Sequence, residues 1–387
     1  MKKLLFAAAV ITAMASCSNN EIIDVNSGEG ISFRTSLDKA TRANAANVTT
    51  QDNLNEFKVT AVGNNSTYFS DLTVSKPGSG QFWNTASTYY WPAYELKFFA
   101  YAPTNLGSGT ISLTNEKQTI AGFSPESDIA NQKDLLISCN TGTQAKNEAS
   151  GVLMNFKHAL SQIEILAKNS NPNIKIEVKG VRIVNAGTTA DFNFPTEETS
   201  TGTQLPQTKW TGLSGQNTTA YKSKGEKVVE LTESPKSIMF SDKNFMLIPQ
   251  QLTAWQGKGH TEGAYISVLC RIYSKSGSEE ILLYPKASPA TRASVTLPEP
   301  TMYAYASVAI GTNWEPGKKY IYTLDFCSTT NGGGAGLIDP NPDTTDPEVD
   351  TNPKPGSNGG DPVLNGPIKF TVTVDNWVDE TKDIIMN

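Results

Sequence analysis

Apolar and polar residues alternate with a period of two over most of the 387 residues, and helical spacing is scarce. Such alternation places successive side chains on opposite faces of a strand, so an apolar face is buried only when strands build sheets. Thr, Val, Ile, Tyr and Phe dominate the short runs, and Gly, Asn, Ser and Pro separate them. The pattern predicts an all-β fold of β-sandwiches. The clearest predicted strands are Ile31–Leu37, Glu56–Val62, Leu96–Tyr101, Gly109–Leu113, Asp134–Ser138, Val152–Phe156, Gln162–Leu166, Ile174–Val184, Lys227–Leu231, Asn244–Ile248, Ala264–Tyr273, Glu280–Tyr284 and Lys319–Phe326.

The first 17 residues have the layout of a secretory signal. Lys2 and Lys3 precede an apolar stretch, Leu4–Met14, which small residues connect to Cys17. The stretch is too short to cross a hydrocarbon layer of ~30 Å as a helix. A cysteine directly after small residues indicates lipidation, so residues 1–17 are predicted to be a lipoprotein signal peptide with Cys17 as the lipid anchor. A plain secreted protein with a chance cysteine is the alternative.

Chain length and charge limit the classes of protein to which this chain can belong. The chain beyond the signal is long enough for two sizeable cores, and the polar stretch 140–151 predicts a boundary that gives domains at 43–150 and 151–330. The net charge of −6 lacks the excess of positive charge that is typical of nucleic-acid-binding proteins. Cys139, Cys270 and Cys327 are odd in number and far apart, which argues for reduced, buried thiols rather than a disulfide framework, although one pair stays compatible.

A change of composition separates the last part of the chain from the rest. Residues 331–366 are rich in Gly at both ends and in Pro and Asp between, which is typical of a flexible linker. Residues 367–387 follow and contain a strong strand. A coil of this length spans ~35 Å, so the strand can join its own domain or a neighbouring molecule, and the sequence leaves both open. The side chains that share its apolar face are Ile368, Phe370, Val372 and Val374.

Residues 18–42 are predicted to be an N-terminal propeptide that carries a removable strand. The polar stretch 38–52 after this strand is predicted to be exposed and accessible to proteases. Arg42, followed by Ala43, is therefore a predicted cleavage point for a trypsin-like enzyme, although Arg34 lies nearby. The residues assigned to the inward face of the removable strand are Ile31, Phe33, Thr35 and Leu37.

No pattern in the sequence predicts catalysis, a cofactor or a metal site. His158 and His260 form no zinc-binding motif, and His158 is interpreted as a structural histidine beside a sheet. Residues 339–350 have the spacing of a calcium loop, but Thr344 occupies the glycine position and prolines intervene, so a solvated linker is favoured. The aromatic residues at 82–83 and 89–91 favour a core, with a sugar-stacking platform as the alternative.

Seven short pieces follow one another in a fixed order over nearly the whole chain. Together they resemble the Bacteroidales fimbrillins, the subunits of type V pili. They are the lipobox at Cys17, Ile31–Phe33 with Ala40–Ala43, Tyr89–Pro92 with Leu96–Pro103, Phe156–Ile163, Leu247–Gln251, Trp314–Tyr322 and Phe370–Trp377.

The resemblance implies two transthyretin-like β-sandwich domains in tandem and an assembly mechanism. A trypsin-like protease would cut after Arg42, the N-terminal strand would leave a groove, and the donor strand Ile368–Val374 of another fimbrial subunit would fill it. The expected location is the outer membrane, through lipid, before cleavage and a cell-surface fimbrium afterwards. Adhesion to a host surface or glycan is the expected role. The alternative is a non-polymerising surface lipoprotein that binds glycan or host protein, in which Ile368–Val374 completes its own sandwich.

Overall fold

The computed structural model describes residues 30–37, 45–80, 82–216, 220–286, 302–328 and 333–376. The predicted lipidation site Cys17 and the predicted cleavage position, Arg42 and Ala43, lie outside these residues. The described chain is nearly all β, which confirms the predicted fold class. Within the described ranges helix is limited to short pieces, α1 (Gln144–Asn147) and 3₁₀ turns at Ile129–Asn131 and Gln207–Lys209. No helix in the described part is both long and apolar enough to cross a membrane.

The strands agree with most of the predicted runs and add several others. In chain order they are β1 (Phe33–Leu37), β2 (Glu56–Gly63), β3 (Ser66–Ser75), β4 (Asn84–Thr85), β5 (Leu96–Ala102), β6 (Thr110–Leu113), β7 (Gln118–Phe123), β8 (Leu136–Gly142), β9 (Val152–His158), β10 (Ser161–Asn169), β11 (Ile174–Val184), β12 (Thr189–Asn193), β13 (Trp210–Ser214), β14 (Ala220–Glu230), β15 (Lys236–Ser237), β16 (Phe245–Leu247), β17 (Tyr265–Ser276), β18 (Glu279–Tyr284), β19 (Ala304–Ala309), β20 (Lys318–Phe326), β21 (Leu337–Ile338) and β22 (Lys369–Asn376).

A seven-stranded sheet in the order β1-β9-β8-β5-β2-β3-β4 forms the N-terminal half. β1 runs parallel to β9, and the other neighbours are antiparallel. The predicted boundary near residue 150 assigned β9 to the second domain, and the strand pairing corrects this. Val152, Met154 and Phe156 of β9 bury their side chains in the same core as Phe33. The N-terminal sheet therefore extends through His158.

Two sheets face each other in the C-terminal half. One has the order β15-β10-β20-β22 with β16 beside β10, and the other has the order β14-β11-β17-β19-β21 with β18 beside β17. Alternate residues of β10 and β11, among them Ile163, Ile165, Ile176 and Val178, are completely buried in one shared core. This is the alternation of buried and outward-facing residues from which we predicted a sandwich.

A four-stranded sheet, in the order β13-β12-β7-β6, joins the two halves. It combines two strands from before residue 150 with two from beyond it. Ile120 and Phe123 of β7 share a core with Phe192 and Trp210, and the Trp210 indole donates to the carbonyl of Ala159 at 2.8 Å. The halves are therefore connected through packed apolar surface as well as through the chain.

Residues 333–366, called the strap below, lie against the C-terminal half. β21 pairs with β19, and Ala335, Val349 and Val363 are buried. The carboxylate of Asp339 is buried as well, and Arg182 of β11 reaches it at 2.6 Å. The expectation of a flexible, solvated linker is therefore wrong for the strap. The prediction rested on the small number of apolar residues in this segment. Composition cannot predict the ion pair and the backbone hydrogen bonds that hold it in place.

Candidate functional site

The first strand, β1, together with Ile31 and Ser32 just before it, is hydrogen-bonded along both edges. On one side the Val152 amide of β9 donates to the Ser32 carbonyl at 2.9 Å. On the other side Phe33 and Trp83 donate to each other's carbonyls, and the Ile31 amide donates to Tyr89 at 2.6 Å. Trp83 immediately precedes β4, which is the last strand at the opposite end of the seven-stranded sheet. β1 therefore closes this sheet into a ring.

The side chains of the first strand fill a deep apolar groove. Phe33 is completely buried, and its ring meets those of Phe57 and Phe98 edge-on, with centroids 6.0 and 5.5 Å away. Ile31 and Leu37 are also buried, one on each side of Phe33 along the strand. Thr35 occupies the shallower fourth position, where its hydroxyl accepts a hydrogen bond from Gln51. Three of the four residues assigned to the inward face are buried in one core, and Thr35 is only half-buried.

The connection between β1 and the rest of the chain passes through residues 38–44. Beyond them Ala45 is buried, and the Ala46 amide donates to the carbonyl of Asp242 at 2.7 Å. The Thr49 amide donates to the carboxylate of Asp134, which also pairs with His158 at 2.8 Å. The described chain is thus held on both sides of the stretch that contains Arg42. Arg34, the competing arginine, lies within β1 and pairs with Leu153 of β9.

The last strand, β22, lies at the end of a sheet in its own chain. It runs antiparallel to β20, with Phe370 opposite Leu324 and Val374 opposite Tyr320. Its apolar face is only partly covered. Ile368 just before the strand is buried, Phe370 and Val372 are half-buried, and Val374 is 48% exposed. Of the two placements that the sequence left open, the structure has the strand in its own sheet.

The aromatic residues at 82–83 and 89–91 lie partly in the core and partly at the surface. Trp83 is buried beside Phe57, and Tyr89 and Trp91 pack partly against the same core. Tyr90 is 58% exposed, with its backbone carbonyl accepting from the Tyr68 hydroxyl. The core interpretation therefore describes most of these rings.

Asp339 anchors the strap, and sequence reasoning missed this role. Its carboxylate accepts from Arg182, from the hydroxyl of Tyr265 at 2.9 Å and from Ser267, while the Arg182 guanidinium lies 4.0 Å from the ring centre of Tyr305. Burial, the largest single influence, lowers the pKa of Arg182, but the charge and hydrogen bond of Asp339 together with the neighbouring Tyr305 and Tyr265 outweigh it, and the pKa is raised. One signal was available: an arginine inside the apolar strand Ile174–Val184 needs a buried partner.

The fold is similar to that of a solved fimbrial protein. A fimbrial protein from Bacteroides vulgatus has a TM-score of 0.52 at 14% identity, with 90% of this chain and 100% of that chain covered. A putative cell adhesion protein from Parabacteroides distasonis has a TM-score of 0.46 at 12% identity, covering 92% and 99%. A fimbrilin from Porphyromonas gingivalis has a TM-score of 0.44 at 11% identity, covering 91% and 98%.

Residues 41–340 match the model of the fimbrillin-like family. The chain belongs to this family, which confirms the resemblance found in its sequence. It is thereby placed among fimbrial proteins of the cell surface. No curated protein matches the sequence.

Proposed function

We propose that this protein is a structural subunit of type V fimbriae that polymerises by exchange of a β-strand after cleavage at Arg42. The observation that carries the proposal is the position of β1. It closes a sheet from both sides and fills an apolar groove, yet it is joined to the rest of the described chain only through residues 38–44.

Cleavage within residues 38–44 would leave β1 bound by non-covalent contacts alone. Burial of Ile31, Phe33 and Leu37 contributes roughly 1.5–3 kcal/mol for each side chain. Once the covalent connection is cut, a second strand with a similar apolar face competes for the groove. Departure of β1 would expose unpaired N–H and C=O groups on β9 and at Trp83, which form a template for strand addition.

The strand at the C-terminal end supplies a suitable competitor. Phe370 and Val372 are half-buried and Val374 is 48% exposed in the present position, so transfer into a closed groove buries more apolar surface. The strap can stay docked during the transfer, because its buried residues and the Asp339–Arg182 pair lie outside β22. Each subunit would then hold the next by one strand.

The lipid anchor has a transient role in this proposal. Cys17 and β1 lie on the same side of Arg42, so after the cut the lipid is held only through the non-covalent contacts of β1 and leaves with β1 when the groove is vacated. We assign Cys17 to export and delivery to the outer membrane, and the exchanged strand to lasting attachment in the fimbrium. The proposed partners are other fimbrial subunits, a trypsin-like processing protease and the host surface or glycan to which the fimbrium adheres.

The proposal is tested by treating the purified precursor with a trypsin-like protease and looking for denaturant-resistant ladders on a gel. With an arginine-specific trypsin-like protease, which leaves Lys39 in the same stretch uncut, we expect ladders from the parent chain and from Arg34→Ala, but not from Arg42→Ala. A chain shortened before Pro367 should be cleaved without forming ladders. Cleaved parent protein that stays monomeric at high concentration would overturn the polymer proposal. That result would support a non-polymerising surface lipoprotein, in which β22 keeps the position it has here beside β20.

A further inference from the structure

The first and last strands carry the same apolar pattern. Residues 31–37 read Ile-Ser-Phe-Arg-Thr-Ser-Leu, and residues 368–374 read Ile-Lys-Phe-Thr-Val-Thr-Val. Both begin with isoleucine, place phenylalanine two residues later and continue with inward-facing residues at every second position. The proposed strand exchange, on which this inference rests, does not by itself require the two patterns to agree residue by residue.

We infer that Ile368–Val374 of a second copy of this chain enters the groove in the same direction and register as β1, with Phe370 replacing Phe33. Val372 then takes the place of Thr35, and Val374 takes that of Leu37. The occupant is a second copy because the chain's own last strand reproduces the pattern that its own groove accommodates.

The aromatic contacts around Phe33 select the register. Phe33 is completely buried between the edges of Phe57 and Phe98, while the neighbouring inward position holds only a half-buried threonine. A slip of one residue turns the apolar face of the incoming strand outward. A slip of two residues puts isoleucine or valine between the rings and leaves Phe370 at a site shaped for a smaller side chain.

The same contacts select the direction. A strand entering in reverse over the same seven positions places Val372 at the Phe33 position and Phe370 at the shallow Thr35 position. A reverse strand shifted to keep Phe370 at the Phe33 position puts Gly366 at the buried Leu37 position and leaves it unfilled. In the forward direction the amides of Ile368 and Phe370 correspond to those of Ile31 and Phe33, which donate to Tyr89 and Trp83. The incoming strand thereby reproduces both edges of β1, parallel to β9 on one side and bonded to Trp83 on the other.

Paired cysteine substitutions in the full chain measure register and direction together. Asn155 of β9 lies opposite Ser36, whose counterpart in the donor is Thr373. After cleavage and mild oxidation, Asn155→Cys with Thr373→Cys should give most of the covalent intermolecular dimer, because adjacent strands are within disulfide reach. Asn155→Cys with Lys369→Cys detects the reverse direction, and Asn155→Cys with Thr371→Cys detects a two-residue slip. Both should give only traces, as should each uncleaved precursor.

Boiled, non-reducing gels separate these outcomes from those of the proposed function. Ladders with the dominant covalent dimer at 155–369 or 155–371 overturn the register and leave strand exchange standing. Ladders without a covalent dimer at any of the three pairs also overturn the register. Cleaved protein that never forms ladders overturns both proposals. As a second measurement, Phe370→Ala should reduce ladder yield several-fold more than Val374→Ala, and equal yields would contradict the role given to Phe370.

Discussion

Phe33 and Trp83 donate their amide protons to each other's carbonyls, at 2.9 and 2.8 Å, and this pair joins the two ends of the seven-stranded sheet. The first strand is consequently the closing element of a ring rather than an ordinary edge strand. Its removal would create two unpaired edges at once, one on β9 and one at Trp83. An incoming strand that satisfies both edges replaces everything that β1 contributes.

Truncation of Phe33 should destabilise the uncleaved precursor. Phe33→Ala removes a completely buried ring that contacts Phe57 and Phe98, and such changes cost about 3–5 kcal/mol. Urea unfolding monitored by circular dichroism measures the free energy of unfolding. Tyr90→Ala, which removes a ring that is 58% exposed, is the matched control and should change little. Equal midpoints for the two variants would show that β1 is not part of the core.

The anchor of the strap should be sensitive to loss of one charge. Asp339→Asn leaves the buried Arg182 guanidinium without its counter-charge, which costs about 3–5 kcal/mol when a buried pair is broken. Faster hydrogen exchange at the amides of Ile338 and Val363 would report the local loosening, alongside a lower free energy of unfolding. The control is Asp361→Asn, since its partner Lys258 is 67% exposed. Unchanged exchange in Asp339→Asn would contradict the anchoring role.

Removal of the last strand should leave a folded protein. Among the described residues, a chain that ends at Ile368 loses only 369–376, whose apolar face is incompletely buried, so we expect cooperative unfolding to persist. A chain that ends at Pro367 also loses the buried Ile368 side chain, and should be less stable by a further ~1.5–3 kcal/mol. Thermal unfolding of the two truncated chains measures the difference. Loss of all cooperativity in the longer chain would mean that β22 is required for the fold.

The thiols of Cys139 and Cys327 should be unreactive in the folded protein near neutral pH. Burial raises the pKa of Cys139 to about 12 and that of Cys327 to about 11, from the usual 9.0. At pH 8 both stay protonated in the native state, so alkylation by iodoacetamide, followed by mass spectrometry, should be slow there and fast in guanidinium. Because the folded-state pKa values are raised, their contribution to stability is complete below about pH 9 and is lost as the pH rises towards 11–12. Rapid native labelling of Cys327 at pH 8 would contradict this.

Local pattern predicted much of the secondary structure. The run Ile174–Val184 appears as β11 with the same bounds, because its alternation is long and its partners lie on both sides. The strands β12 and β13 were missed. They are short, and β12, the strand that β13 pairs with, is itself paired with β7, which lies far away in the sequence. The boundary near residue 150 failed for the same reason, since only pairing with β1 and β8 assigns β9 to the N-terminal sheet.

The sequence by itself determined the all-β class, the alternation of both terminal strands and the resemblance that family membership confirms. These properties are local, because a period of two and the order of short motifs can be read from the sequence without knowing which residues pack against them. The tertiary structure decided that Trp83 closes the ring around β1, that Asp339 holds the strap through Arg182, and that β22 pairs with β20. Each of these depends on a partner distant in the chain, because a backbone edge or a buried charge is satisfied by whichever group the fold brings beside it.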